Sequence, residues 1–259
     1  MAVARRILVS GNWKMHENHF EALKLVQELA ALFRAGGVPE ERDVSLHPPF
    51  TSLRTVQTAV ESDHVPVALG AQNCHFEERG AFTGEVSADM LAKLNVAYVI
   101  AGHSERRTLF GETDAVVRRK VDAIVSHGMC PIVCVGESLD QRRAGQAADH
   151  VRRQVLDALS GRAPETIGRM VLAYEPIWAI GTGETASAGD AEEMCALIRE
   201  EVGKLAGAEA AGSVRIQYGG SVTSETAGAL LSCENVDGLL VGGASLDAER
   251  FAGIVRAGR

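Results

Sequence analysis

Eight short apolar runs recur along the 259-residue chain, and most are continuously apolar rather than alternating. They are Ile7–Val9, Val44–Leu46, Val65–Leu69, Val96–Ala101, Pro131–Val135, Met170–Tyr174, Val214–Tyr218 and Val236–Val241. Such runs are typical of strands that are buried on both faces of a sheet. The longer segments between them have helical periodicity, as in Phe20–Phe33 and Val116–Ile124. The chain therefore predicts alternating strands and helices around a parallel sheet.

Eight strand–helix units in about 250 residues match the (β/α)₈ barrel of the α/β class, with eight parallel strands inside a ring of helices. A doubly wound open sheet also alternates strands and helices, but it usually needs fewer strands. No Gly-x-Gly-x-x-Gly follows the first run, which removes the commonest reason to prefer that fold. No linker, charge block or low-complexity segment interrupts the chain. We therefore predict a single barrel domain over residues 1–259.

Charge and composition exclude several kinds of binding partner for this chain. The formal net charge of −8 argues against a general nucleic-acid or anionic-membrane surface. No apolar run approaches membrane-spanning length, and no signal peptide is recognised. The five cysteines are widely spread, which favours a reducing cytoplasm over a disulfide framework. Cys130 and Cys134 share a strand face, but no histidine or second pair completes a metal site, so we expect buried thiols and no metal.

The stretch after the sixth run has the pattern of a closing lid. Met170–Tyr174 leads directly into Glu175, Pro176 follows at once, and Gly181-Thr182-Gly183 ends the segment. Stiff proline at one end and permissive glycine at the other predict a lid with two hinges over residues 176–183. Closure would remove water from the carboxylate at its root and strengthen it as a base. A partly buried loop with a structural glutamate is the alternative.

Polar residues follow several of the predicted strands, and strand ends of a barrel converge on one face. They are Asn12 and Lys14 after the first strand, His103 after the fourth, Glu175 after the sixth, Gly219-Gly220-Ser221 after the seventh and Gly242-Gly243 after the eighth. Each alone has a structural explanation, such as a solvated lysine or a glycine turn. Their shared placement predicts one functional site. Glu105-Arg106-Arg107 is interpreted as a charge cluster at a helix start, with ion pairs inside the cluster.

The glycine pairs suggest what the site binds. Backbone N–H groups of residues 219–221 and 242–243, with a helix N-terminus behind them, can bind a phosphate without an arginine. Barrels often bind phosphate after strands seven and eight. The substrate is therefore predicted to carry a phosphate monoester, which this site would bind.

The third unit departs from the regular pattern, because the segment from Gln72 to Glu85 is long and lacks a clear period. Loops of this length in a compact domain are usually functional. Phe76 and Phe82 would be costly to leave in water. The loop can insert into a partner subunit or fold back on its own barrel, and the residues leave both open.

Five motifs resemble those of the triosephosphate isomerase family, in that family's order and spacing across the whole chain. They are NWKM at 12–15, GHSERR at 102–107, AYEPIWAIGTG at 173–183, YGGSV at 218–222 and VGGASL at 241–246. The third loop, with Gly80–Glu85, resembles the family's dimer loop and implies a homodimer through residues 72–88. Two departures are minor: His16 stands where asparagine is frequent, and Ser187–Gly189 replaces a proline-containing helix start.

The resemblance implies interconversion of dihydroxyacetone phosphate and D-glyceraldehyde 3-phosphate through an enediolate, without metal or cofactor. Glu175 would be the base and His103 the electrophile that polarises the carbonyl oxygens. Lys14 would stabilise the enediolate and attract the phosphate, while Asn12 orients the reacting oxygens. The family's phosphate contacts would fall on backbone N–H groups of Gly181, Ser221, Gly242 and Gly243.

Two other functions are compatible with a barrel of this kind. In a Schiff-base phosphosugar aldolase, Lys14 would be the nucleophile; such a lysine usually lies deeper in a strand, and Glu175 is already a better base. A phosphosugar-binding barrel without catalysis would be marked by loss of Glu175 or His103, and both are present.

Overall fold

A computed structural model describes residues 5–180 and 186–258 of the chain. Within these ranges eight parallel strands form one closed barrel, because each strand pairs with the next and the eighth pairs with the first. The strands are β1 Ile7–Asn12, β2 Arg42–His47, β3 Ala68–Ala71, β4 Tyr98–Ala101, β5 Cys130–Val135, β6 Val171–Tyr174, β7 Arg215–Tyr218 and β8 Gly238–Val241. The predicted (β/α)₈ barrel is confirmed.

Helices surround this barrel. In the described ranges they are α1 His19–Gly36, α2 Leu53–Ser62, α3 Ala88–Ala92, α4 Ser104–Phe110, α5 Asp114–Ser126, α6 Leu139–Arg143, α7 Ala147–Leu159, α8 Pro164–Gly168, α9 Ala188–Ser213, α10 Ser224–Leu231 and α11 Ala248–Arg256. Short 3₁₀ turns occupy Phe50–Ser52, Ile177–Ala179 and Gly243–Leu246. None of the helices in this part of the chain is long and apolar enough to cross a membrane.

Side-chain caps determine where several of these helices begin. Ser187 accepts a hydrogen bond from the backbone N–H of Asp190, whose carboxylate bonds back to the backbone of Ser187. This capping box satisfies N–H groups that have no partner inside the helix. Helix α9 therefore begins at Ala188, directly after this cap.

The apolar face of α1 packs against the core as expected, except at Phe20. In α1, residues such as Leu25, Leu29 and Phe33 are buried, whereas Phe20 in the first turn is 74% exposed. Residue spacing alone placed Phe20 on the buried face. Ala22 in the same turn is fully buried, so the packed face of α1 begins at Ala22 and Phe20 points away from it.

The barrel interior is a separate and smaller core. It contains Leu8, Ile100, Ile132, Val171 and Leu240, one from each of five strands. Successive side chains of a strand point to opposite faces, so every second residue of a strand faces the helices instead. Because the interior is filled by side chains, only the strand ends are left to form a site.

The third loop folds partly on itself. The ring of His75 lies 4.3 Å, centroid to centroid, from both Phe76 and Phe82. The guanidinium of Arg119 stacks 3.6 Å from the centroid of the Phe76 ring. Phe76 is therefore half-buried against its own chain, while Phe82 remains 42% exposed.

Candidate active site

A cavity of about 420 Å³ opens at the carboxyl ends of the strands. Its lining includes the predicted site residues Asn12, Lys14, His103, Glu175, Ser221, Gly242 and Gly243. Gly181 and the last part of the predicted lid lie outside the described residues. The structure thus brings together, at one opening, side chains that are up to about 230 positions apart in the sequence.

Glu175 lies at the bottom of this cavity, directly after β6, and is 1% exposed. Its backbone N–H donates to the carbonyl of Val135 at 2.8 Å, which ties the end of β6 to β5. Its carboxylate accepts hydrogen bonds from the backbone N–H of Ser104 at 2.9 Å and from the Ser104 hydroxyl at 3.0 Å. The carboxylate is therefore held in place by the first residue of α4.

The hydrogen bonds of His103 define its tautomer. This residue caps α4, and its Nδ1 accepts from the backbone N–H of Glu105 at 3.3 Å. A nitrogen that accepts carries no proton, so in the neutral ring the proton is on Nε2. Nε2 lies 3.1 Å from Oε1 of Glu175. The ring thus presents an N–H donor to the cavity beside the carboxylate.

Lys14 has an unusual backbone, with φ of +53°. Its N–H donates to Oδ1 of Asn12 at 3.1 Å, and its carbonyl accepts from Nε2 of Gln72 at 2.7 Å. Its ammonium group lies 2.6 Å from Oε1 of Glu105. A non-glycine residue keeps a positive φ only where its surroundings determine it. The two hydrogen bonds hold the backbone of Lys14 and the ion pair holds its ammonium group. Together they fix the position of the positive charge.

The charged residues after His103 do not pair with one another as predicted. Glu105 pairs with Lys14, Arg106 with Glu112, and Arg107 with Asp114 at 2.5 Å. The predicted internal ion pairs are wrong, because side chains on the short helix α4 point to different neighbouring segments. The outward contacts brace the start of α4, which carries His103 and Ser104.

One side of the cavity is lined by two glycine-containing segments. Gly219, Gly220 and Ser221 follow β7, and Gly242 and Gly243 follow β8. A Cβ added to Gly243 would meet no heavy atom within 4 Å. Gly243 also begins a 3₁₀ turn. This side therefore offers open space beside main-chain groups, which is what a phosphate site needs.

Glu137 was missed by the sequence analysis. Its carboxylate is fully buried after β5 and accepts from the Tyr174 hydroxyl at 3.0 Å and from the Trp178 indole N–H at 2.9 Å. The guanidinium of Arg142 stacks on the same indole, 4.5 Å from the ring centroid. These contacts hold the 3₁₀ turn Ile177–Ala179, which is the first half of the predicted lid. The sequence offered one indication of a role for Glu137, which is that this residue closely follows a predicted strand.

Burial keeps nearby groups protonated. Burial raises the pKa of the Cys134 thiol well above its usual value, and the adjacent Glu175 carboxylate raises it further. Burial also raises the pKa of Tyr174, and Glu137 adds to this effect. Burial raises the pKa of Tyr218 to about 12. These side chains are neutral at physiological pH, so the charge beside the cavity comes from carboxylates and lysine.

A closed (β/α)₈ barrel with a carboxylate, an imidazole N–H and an ammonium at its strand ends belongs to the class of barrel enzymes with an acid–base site. The family model for triosephosphate isomerase matches residues 7–258. Curated triosephosphate isomerases are similar to this chain over 96% of its length and 95% of theirs. That of Mycobacteroides abscessus is 49% identical over 254 residues, and that of Mycobacterium avium is 48% identical over 250 residues. The chain belongs to the triosephosphate isomerase family.

Proposed function

We propose that this chain interconverts dihydroxyacetone phosphate and D-glyceraldehyde 3-phosphate through an enediolate, with Glu175 as the base. The observation that carries this proposal is the buried Glu175 carboxylate beside an imidazole N–H and an ammonium in one cavity. Moving a proton between two adjacent carbons needs one base that can serve both carbons. It also needs donors for the oxygens that become negative.

Glu175 must exchange partners before it can act. Both of its carboxylate oxygens accept a hydrogen bond from Ser104. Substrate binding and lid closure would release these bonds and place the carboxylate against the substrate carbon. Glu175 is joined through Pro176 to the turn Ile177–Ala179, so a movement of this turn moves its backbone.

His103 supplies the electrophile as a neutral imidazole. Its Nε2–H would donate to the carbonyl oxygens of the substrate and return a proton to the enediolate oxygens. Its Nδ1 already accepts the backbone N–H of Glu105 at the start of α4, so Nε2–H is the donor that the ring can offer to a substrate. A neutral donor avoids forming a tight ion pair with Glu175.

The remaining residues position the substrate and balance its negative charge. The ammonium of Lys14 would stabilise the enediolate and attract the phosphate, and the Asn12 side chain would orient the reacting oxygens. Backbone N–H groups at Ser221, Gly242, Gly243 and Gly181 would hold the phosphate, Gly181 from the predicted lid over 176–183. Lys14 is in an ion pair with Glu105, so it is an ammonium rather than the free amine that a Schiff-base aldolase requires.

The test is a coupled assay of glyceraldehyde 3-phosphate turnover with Glu175→Gln. This change keeps the shape of the side chain and removes the base, so kcat should fall by roughly 10² to 10⁴ with little change in KM. Glu165→Gln, an exposed glutamate on α8, is the matched control and should keep full activity. Equal activity of Glu175→Gln and wild type would show that another group is the base.

We also propose a homodimer through residues 72–88. In support, Phe82 is 42% exposed at this loop and Met15, beside the site loop after β1, is 93% exposed. Burying such side chains against a second copy would remove apolar surface from water. A single domain over residues 1–259 and a cytoplasmic location complete the proposal.

Thr83→Arg tests the dimer, because Thr83 is exposed on this loop and a buried charge there would oppose association. Sedimentation should show a dimer for wild type and a monomer of much lower kcat for the variant. Gln27→Arg, which adds the same charge on the exposed side of α1, should remain dimeric and active. A fully active Thr83→Arg monomer would contradict the need for the dimer.

A further inference from the structure

A chain of polar side chains crosses the interior of the barrel beneath the active site. Gln217, Ser10, Ser45 and His47 lie on β7, β1 and β2, and all four are fully buried. Nε2 of Gln217 lies 2.8 Å from the Ser10 hydroxyl, which lies 2.9 Å from that of Ser45. The Ser45 hydroxyl lies 3.0 Å from Nε2 of His47, whose Nδ1 lies 3.1 Å from the carbonyl of Ala71.

The hydrogen bonds at the Gln217 end of this chain converge on the Ser10 hydroxyl. Nε2 of Gln217 also donates to the carbonyl of Leu8 at 3.0 Å, which fixes the amide orientation. The Ser10 hydroxyl accepts from Gln217 and from the Ser45 hydroxyl. The Ser45 oxygen also lies beside Nε2 of His47, and the direction of that contact depends on the tautomer of the ring.

The His47 end of this series of hydrogen bonds shows which ring nitrogen carries the proton. A carbonyl only accepts, so the contact with Ala71 places a proton on Nδ1 of His47. The His47 ring is therefore the neutral Nδ1–H tautomer, opposite to that of His103. Burial lowers the pKa of His47 to about 4, although the bond to Ala71 opposes this shift.

His47 is connected to Lys14 through a short series of hydrogen bonds. The His47 ring holds the carbonyl of Ala71, and the next residue, Gln72, uses Nε2 to bond two carbonyls. One is that of His47 at 2.9 Å and the other is that of Lys14 at 2.7 Å. The ring thus ties the end of β3 to the end of β2, and Gln72 carries this link to the residue with positive φ.

The ring cannot shift toward β3. A Cβ added to Gly70 would lie 2.3 Å from both Cε1 and Nδ1 of His47. Such an approach is possible only where the neighbour is glycine. The close fit against Gly70 and the two ring bonds leave one position for the imidazole.

We propose that His47 is a positioning residue for the isomerase reaction: as a neutral Nδ1–H imidazole, it fixes Ala71 and Gln72 and thereby the backbone of Lys14. It touches neither substrate nor the reacting atoms. The proposal rests on the role of Lys14 given above. It adds a residue inside the barrel to the determinants of substrate affinity.

The tautomer can be measured on the unchanged protein. Long-range ¹H–¹⁵N correlation spectra at pH 7 should show one histidine with a protonated Nδ1 and an unprotonated Nε2, and this signal should vanish in His47→Asn. A protonated Nε2, or a cationic ring at this pH, would overturn the proposal.

Two substitutions separate the two ring nitrogens. In His47→Asn the side-chain amide can occupy the place of Nδ1 and donate to Ala71, whereas in His47→Gln it reaches the place of Nε2. The binding probe is sn-glycerol 3-phosphate, a three-carbon phosphate monoester that has no carbonyl group and therefore cannot isomerise. Loss of one positioning bond should raise its Kd about 5- to 10-fold in His47→Gln, and His47→Asn should stay within about twofold of wild type.

A double-mutant cycle with Lys14→Ala shows whether His47 acts through Lys14. Without the ammonium, His47→Gln should change the Kd by less than about twofold, because nothing remains to be positioned. An equal effect in both backgrounds would overturn the positioning role and leave His47 a general structural residue. If Lys14→Ala alone changed neither Kd nor kcat, the proposed role of Lys14 would fail first, and the positioning role with it.

Discussion

The ammonium of Lys14 lies 2.6 Å from the carboxylate of Glu105, a residue 91 positions later in the chain. This pair joins the loop after β1 to the first turn of α4. It therefore links the positive charge of the site to the helix that carries His103. Charge-assisted bonds of this kind hold a side chain in one geometry.

Replacing Glu105 by Gln should lower kcat/KM about tenfold, because Lys14 keeps its charge but loses a charged partner that directs it. The coupled assay measures this change. Glu28→Gln removes an exposed Lys24–Glu28 pair with a 3.7 Å separation and should leave kcat/KM unchanged. Wild-type kinetics for Glu105→Gln would show that Lys14 is positioned by its backbone contacts alone.

Gly243→Ala separates phosphate binding from stability. The added methyl meets no atom of the protein within 4 Å, but it would occupy the space proposed for the phosphate. We expect the free energy of unfolding to change by less than about 0.5 kcal/mol while KM rises about tenfold. Gly212→Ala in α9, which also meets no atom, should leave KM unchanged. An unchanged KM in Gly243→Ala would move the phosphate elsewhere.

His47 should make the protein less stable in mild acid. Its pKa is lowered to about 4 in the folded chain, against about 6.5 when unfolded, so between these values the unfolded state binds more protons. The free energy of unfolding should therefore fall as pH falls through this window, by about 3 kcal/mol from this group.

The measurement is urea unfolding of wild type and His47→Asn at pH 7 and pH 4.5. Other titrating groups contribute equally to both proteins, so the difference between the two pH dependences isolates residue 47. The dependence should be shallower in His47→Asn, and His19→Asn, which changes an exposed histidine, should behave like wild type. Parallel pH dependences for wild type and His47→Asn would show that the pKa of His47 is the same in the folded and unfolded states.

Glu137 should be important for stability as well as for the lid. Glu137→Leu removes the acceptor of the buried Tyr174 hydroxyl and the carboxylate beside Arg142. Removing one partner of a buried charged network should cost about 3–5 kcal/mol of unfolding free energy. Glu137→Gln keeps an acceptor oxygen and should cost less. The midpoint of denaturant unfolding compares them, and equal midpoints for all three proteins would exclude this structural role.

The two histidines of the site region differ for a reason that only their surroundings supply. His103 accepts from a backbone N–H and is protonated on Nε2, whereas His47 donates to a backbone carbonyl and is protonated on Nδ1. The sequence analysis found His103, because it follows a strand and stands in a family motif. It passed over His47, because the end of β2 lay one residue beyond the apolar run Val44–Leu46.

The pattern of residues along the chain is enough to predict the barrel and the set of residues at its opening. Continuous apolar runs alternating with amphipathic segments have few ways to bury their surface, and parallel strands necessarily end on the same side, so Glu175 and Lys14 had to meet there. The pairing of the polar groups is visible only in the folded chain. Examples are Ser104 with Glu175, Glu105 with Lys14 and His47 with Ala71. These contacts join distant segments through distances of about 3 Å, and no local pattern of residues encodes such a distance.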